Sequence, residues 1–267
     1  QRVSAGGDLL WGKNGNAICT ENGEQTEVAM TPDGARGAFL AWTDYRRGER
    51  NPDIYAQRID GSGKLLWMKE GTLVCGAPDV QRTPQLVMDR EGNIVVAWTD
   101  KGGGSYDIYA QRLNPEGKTL WLTDGIPINQ SARTQQNPLL CKDLILVWED
   151  YRYGNWDIFS GIVSPQGKLL WGEEGVPLVS LPLTQYAPQI ACWKDEGIIV
   201  AWEDYRNGKQ YEIFIQKVDL KGKAAWGENG VIVRSSNGAR APKILAVPDD
   251  NSFVIVWEDY TGGGKAI

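Results

Sequence analysis

Ten of the twelve tryptophans in this 267-residue chain fall into two series that repeat together. One series is Trp11, Trp67, Trp121, Trp171 and Trp226, at spacings of 56, 54, 50 and 55 residues. The other is Trp42, Trp98, Trp148, Trp202 and Trp257, at 56, 50, 54 and 55. Trp156 and Trp193 stand outside both. Such a period means one supersecondary unit copied along the chain, each copy burying its apolar surface against its neighbours.

The second copy shows what the unit is. Thr83-Pro84-Gln85-Leu86-Val87-Met88 leads to a turn at Gly92-Asn93, then to Ile94-Val95-Val96-Ala97-Trp98-Thr99-Asp100. A glycine-rich loop follows, then Asp107-Ile108-Tyr109-Ala110-Gln111-Arg112-Leu113, the turn Asn114-Pro115-Glu116-Gly117, and Lys118-Thr119-Leu120-Trp121 before a short apolar run. Each segment is short, rich in β-branched and aromatic residues, and bounded by turn formers. No segment has helical periodicity. Four strands per period predict an all-β fold, a five-bladed β-propeller of four-stranded antiparallel blades. It is read as a single domain over residues 1–267, with five repeats of about 54 residues. Gln1-Arg2 aligns with Gln57-Arg58, so the N-terminal strand, within Val3 to Cys19, is expected to close the ring as the outer strand of the last blade. Lys265-Ala266-Ile267 aligns with Tyr106-Asp107-Ile108, which puts both termini inside one third strand and leaves open a piece of a longer array.

Composition narrows the chemistry. Lysine and arginine total 28 against 34 aspartates and glutamates, a net charge of −6, and there is no histidine. Histidine-dependent nucleophilic mechanisms are therefore excluded within the chain. No basic run suggests nucleic-acid binding, and no apolar run reaches the ~18 residues of a membrane-spanning helix. No cofactor and no metal site are expected. The four cysteines lack Cys-x-x-Cys spacing; they read as free and buried, with a Cys141–Cys192 bridge between neighbouring inner strands as the alternative.

Several polar residues recur with the period. Asp44, Asp100, Asp150, Asp204 and Asp259 follow the second-strand tryptophan by two. Asp53, Asp107, Asp157 and Glu212 open the third strand, and Arg46, Arg152 and Arg206 lie between. Presence in nearly every copy favours hairpin ties over a catalytic or calcium-binding cluster, since an active site breaks a repeat and does not obey it. A ligand surface is expected on the loops between second and third strands, where copies differ most. Its candidate residues are Trp156, Tyr153, Arg152, Tyr151, Arg46, Arg206, Tyr205 and Tyr106, aromatic and arginine side chains of the types that dominate binding hot spots. Gln81, Gln135 and Gln185 join them at the entrance to the inner strands, unless they cap strand ends.

The text Trp-Thr/Glu-Asp-Tyr-Arg, Asp-Ile-Tyr-Ala-Gln-Arg and Asp-x-x-Gly-Lys-x-x-Trp resembles repeats of large exported proteins of Bacteroidetes-like bacteria, which often carry a sorting domain for type IX secretion. Asp60-Gly61-Ser62-Gly63-Lys64-Leu65-Leu66-Trp67 is similar in part to the Asp-box turn of sialidase-type propellers, with tryptophan four residues after glycine and not three. The first resemblance implies an extracellular or cell-surface location and no defined activity. Near-uniform copies therefore point to a non-catalytic binding or adhesion module with a glycan or protein partner. The alternatives are a structural subunit of a surface assembly and a glycoside-active enzyme.

Overall fold

The computed structural model describes residues 1–194, 196–234, 238–247, 249 and 252–260. The chain divides into two compact units, Gln1–Pro127 and Ile128–Ile267. In the first unit, β1 (Gln25–Pro32), β2 (Ala38–Asp44), β3 (Asp53–Ile59) and β4 (Thr72–Cys75) form one sheet in sequence order. A second sheet takes β5 (Gln81–Met88), β6 (Ile94–Asp100), β7 (Asp107–Leu113) and β8 (Ile126–Asn129), the division of the chain falling within β8. In the second unit, β9 (Gln135–Cys141), β10 (Ile145–Asp150), β11 (Asp157–Ile162) and β12 (Val176–Val179) form a sheet, and β13 (Gln185–Trp193), β14 (Gly197–Asp204), β15 (Glu212–Asp219) and β16 (Val231–Arg234) form another. The last pair is β17 (Arg240–Val247) and β18 (Ser252–Glu258).

The fold is all-β with four-stranded antiparallel sheets, as the repeat predicts. The fifth sheet shows two strands among the described residues, and residues 261–267, on which its third strand was expected, lie outside them. Among the described residues no strand is seen within Val3 to Cys19, expected as the outer strand of the last blade, and the third strand it would pair with falls on residues outside them. That stretch holds one isolated bridge, Val3 to Leu9, the same bridge that Ile59–Leu65 and Leu113–Thr119 make in later copies. An outer strand exists only by laddering on a third strand, as β4 does on β3.

The inner strands carry a feature invisible to pattern reading. Glu27, Thr83, Asn137, Ala187 and Ala241 all have φ between 48° and 54°. Each sits at or beside a register shift in the pairing of its inner strand with the second strand. Such a bulge turns one backbone N–H out of the ladder and leaves it in need of an acceptor. Pro84, Pro138, Pro188 and Pro242 follow directly, at a place where a missing donor is tolerated.

The second-strand tryptophans form the core. Trp42, Trp98, Trp148 and Trp202 are buried, and each stacks on the aromatic residue opposite it in the third strand (Tyr55, Tyr109, Phe159, Phe214) at 6.1–6.3 Å. Trp257 departs from this set and is half-buried. The other tryptophan series reaches the turn of the following copy: Trp67 Nε1 donates to the Pro115 carbonyl at 2.9 Å and Trp171 Nε1 to that of Leu220 at 3.3 Å.

Cys141 and Cys192 form a disulfide across β9 and β13, with Cα atoms 5.7 Å apart, inside the range such bonds occupy. The free-cysteine expectation is corrected for that pair and stands for Cys19 and Cys75. Adjacent inner strands bring the two thiols into register, which sequence spacing alone cannot show.

The recurrent aspartates tie the hairpins. Asp44 accepts the Trp42 indole N–H at 2.8 Å, the Arg46 backbone N–H at 2.9 Å, and the Arg46 guanidinium through both oxygens. Asp150 and Asp204 hold Trp148 with Arg152, and Trp202 with Arg206, in the same way. The arginine Cζ lies over the third-strand ring, 3.8 Å from the centre of Tyr55, 4.0 Å from that of Phe159 and 3.8 Å from that of Phe214. Directly opposite, burial pushes the carboxyls of Asp53, Asp107 and Asp157 up to about 6. These groups hold protons more tightly folded than unfolded, so they erode stability as pH rises from about 4 to about 6, and the loss is complete above that. Asp107→Asn is expected to raise the melting temperature at pH 7.5 and leave it nearly unchanged at pH 3.5. Thermal melts of the two proteins across pH 3.5–7.5 check this; a constant offset at all pH values would count against it.

Candidate functional site

Most residues proposed from the sequence turn out to be engaged in the hairpins. Arg46, Arg152 and Arg206 are committed to the aspartate ties just described. Gln81, Gln135 and Gln185 are fully buried and donate to loop carbonyls of Pro78, Ala132 and Leu183. Tyr151 and Trp156 pack on each other at 5.0 Å, and the Trp156 carbonyl accepts the Gln185 N–H at 2.7 Å. Tyr106 is half-buried beneath the Arg82 guanidinium, 4.5 Å from its ring centre. Tyr153 remains exposed, its ring 6.3 Å from Phe159. Tyr205 packs at 4.9 Å on Tyr211, and these two rings belong to a cleft.

That cleft, of about 540 Å³, lies in the second unit between the loop end of β14 and the β17–β18 pair. Strand alternation builds it. Trp202 and Asp204 share one face of β14, where they bond, so Glu203 is sent to the other face. There its carboxylate accepts the bulge N–H of Ala241 at 2.6 Å and pairs with Arg240 Nε at 2.5 Å. Glu258 holds the equivalent position on β18, in register with Arg240, and accepts the Tyr260 hydroxyl at 3.1 Å. Both carboxylates line the cleft together with Tyr205, Tyr211 and Tyr260. Arg240 stacks 3.9 Å over Tyr211 and donates to the Tyr186 hydroxyl. Burial and the adjacent Glu203 push that phenol up to about 12, so it stays protonated at any physiological pH.

The neighbouring sheets repeat the latch. Glu149 accepts the Ala187 bulge N–H at 2.9 Å and the Asn137 side-chain amide at 2.8 Å, beside a second hollow of about 370 Å³ that Tyr186 also lines. In the first unit Glu27 plays the part, accepting the Thr83 N–H at 2.7 Å. At these three junctions a carboxylate is thus spent on a backbone donor. What the Glu203 junction adds is a second carboxylate and three tyrosines facing the same space. Among the described residues, no group of three histidine, cysteine or acidic side chains could hold a metal, and no helix is long and apolar enough to cross a membrane.

Glu203, Glu258, Arg240 and Tyr211 were absent from the sequence-derived candidates. A signal for the two glutamates existed: the residue after the second-strand tryptophan is Thr43 and Thr99 in two copies but Glu149, Glu203 and Glu258 in three.

No family model and no curated protein matches the chain. Solved structures do share its fold. An α-L-arabinanase of Penicillium chrysogenum, solved with arabinobiose, aligns over 90% of this chain and 76% of its own at a TM-score of 0.57 and 15% identity. A protein of unknown function from Dyadobacter fermentans aligns over 90% and 77% at 0.55 and 12%. An endo-arabinase of Bacteroides thetaiotaomicron aligns over 94% and 95% at 0.51 and 10%. At these identities the likeness establishes a common, propeller-like fold. It corrects the expectation of a non-catalytic adhesion module: the architecture is one that glycoside hydrolases use, and the near-uniformity of the copies does not exclude a reaction centre at one junction.

Proposed function

We propose that the chain is a glycoside-active enzyme that hydrolyses an oligosaccharide in the Glu203–Glu258 cleft. The observation that carries this is the convergence of two carboxylates from equivalent positions of neighbouring sheets on a tyrosine-walled hollow. Glycosidic hydrolysis needs such a pair, one protonating the leaving oxygen while the other activates water or attacks the sugar. Glu203, held by the Arg240 guanidinium and the Ala241 N–H, is the carboxylate that activates water or attacks the sugar. Glu258, which accepts the neutral Tyr260 hydroxyl, is the carboxyl that exchanges the proton with the leaving oxygen. Tyr205, Tyr211 and Tyr260 offer flat faces to sugar rings. Arabinose-containing glycans are the first substrates to try, because two of the proteins sharing the fold act on them by name. Closure of five sheets into a ring belongs to the same proposal, supported by the five sequence periods. So does location outside the cytoplasm, supported by the Cys141–Cys192 bridge and by the resemblance to exported repeat proteins.

Release of reducing sugar from arabinan, arabino-oligosaccharides and a wider panel of plant and bacterial glycans tests the reading. Glu258→Gln and Glu203→Gln are each expected to lower kcat on the accepted substrate about 10²–10⁴-fold, with melting curves showing the variants folded. Glu203→Gln also weakens the Ala241 latch, so Glu258→Gln is the cleaner variant. A wild-type protein that cleaves no member of the panel, or a Glu258→Gln variant of full activity, overturns it.

A further inference from the structure

One hairpin repeats the receptor for an arginine but not the arginine. In the first sheet the Arg46 guanidinium has four neighbours: Asp44 Oδ2 at 2.7 Å, Cys19 Sγ at 3.2 Å, the Glu70 carbonyl at 2.9 Å and the Tyr55 ring at 3.8 Å. The repeat supplies all four again one copy later, as Asp100, Cys75, Asp124 and Tyr109. Asp100 still accepts its tryptophan, Trp98 Nε1, at 3.0 Å, and still accepts the backbone N–H two residues on, from Gly102, at 2.8 Å. Trp98 still stacks on Tyr109 at 6.3 Å. Cys75 Sγ lies 3.9 Å from Asp100 Oδ2. Yet the residue at the position of Arg46 is Gly102, which has no side chain to contribute.

The second cation is missing as well. Arg47 Nε pairs with Asp53 at 2.7 Å in the first sheet, and its counterpart is Gly103. Asp107, the counterpart of Asp53, is 8% exposed and carries no hydrogen bond or ion pair among the described residues. It sits in register opposite Asp100, at the foot of the exposed segment Gly102-Gly103-Gly104. A buried carboxylate without a partner is costly unless a counter-charge arrives or it takes up a proton. Its carboxyl is accordingly pushed up to about 6 by burial and by Asp100.

We propose that this hairpin is a binding site for a guanidinium group supplied from outside the chain, received by Asp100 and Asp107 against the Tyr109 ring, where Arg46 is received in the preceding copy. The glycines keep the approach clear, and a planar fork of donors is what the conserved acceptor geometry fits. The shared chemistry is arginine, either free or as a side chain of a partner protein. This inference is independent of the glycoside reading, which concerns the other unit.

Thermal melts with methylguanidinium, L-arginine and a short glycine-flanked arginine peptide, each at low millimolar concentration, test it against methylammonium at equal ionic strength. A saturable rise in melting temperature of a few degrees is expected with the guanidinium probes and not with methylammonium. Preference for the peptide assigns the source to a partner side chain; preference for L-arginine assigns it to the free amino acid. Gly102→Arg, whose backbone does not lie in the left-handed region, is expected to melt higher than wild type and to lose the response by filling the site itself. Asp107→Asn is expected to lose most of the response while remaining folded. No response in the wild type, an equal response to methylammonium, or an undiminished response in both variants overturns the proposal.

Discussion

Asp150→Ala is expected to lower the unfolding free energy by about 3–5 kcal/mol, the range for removing one partner of a buried ion pair. Asp150 is fully buried. Its loss strands the Trp148 indole N–H and the Arg152 backbone N–H and leaves a guanidinium that is 9% exposed with Glu174 alone. Gln135 Nε2, 3.4 Å from the same carboxylate, loses a neighbour too. Desolvation decides the size: each donor keeps the cost of leaving water and forfeits the acceptor that offset it. Glu91→Ala is the contrast, because Glu91 is 64% exposed and its partner Arg112 keeps Asp89 at 2.6 Å, and less than about 1 kcal/mol is expected there. Urea unfolding of the two variants checks both figures. Near-equal losses would show that the indole–aspartate–arginine tie contributes no more than a surface pair.

Gly175→Ala is expected to cost about 2–5 kcal/mol, from two causes. Its φ of +78° lies in the left-handed region, worth about 1–2 kcal/mol against alanine. A Cβ there would also enter the Trp148 ring and come within 2.8 Å of the Ser160 carbonyl, and overpacking of a tight core adds about 1–3 kcal/mol. Gly71, Gly125 and Gly230 meet Trp42, Trp98 and Trp202 in the same manner, so the residue before β4, β8, β12 and β16 is glycine because the indole of the second strand lies where a side chain would begin. Gly172→Ala separates the causes. Its φ is +92°, but its nearest neighbour would be 3.5 Å away, so only the backbone cost of about 1–2 kcal/mol is expected. Equal midpoints in urea for the two variants would refute the packing half of the argument.

The sequence by itself determined the strands and the repeated hairpin. Trp42, Trp98, Trp148 and Trp202 mark second strands because period-two alternation leaves one register in which every bulky residue is buried, and Asp-x-Arg after them closes the turn by local bonds. Those interactions span a few residues, so they can be read from a line of text. Contacts between neighbouring copies could not be. The left-handed bulges at Thr83, Ala187 and Ala241 show no local signature, since threonine and alanine adopt that conformation only when a carboxylate of the adjacent sheet accepts the displaced N–H. Cys141 and Cys192, 51 residues apart, become partners only when two inner strands lie side by side. The same holds for Glu203, which reads as one acidic residue beside a tryptophan and acquires Arg240, Tyr211 and Glu258 as companions only through the packing of β17 and β18 against its strand end. Local chemistry fixes what each copy becomes; the meeting of unlike copies decides where a site can exist, because charge and burial there depend on residues that the period places some 50 positions away.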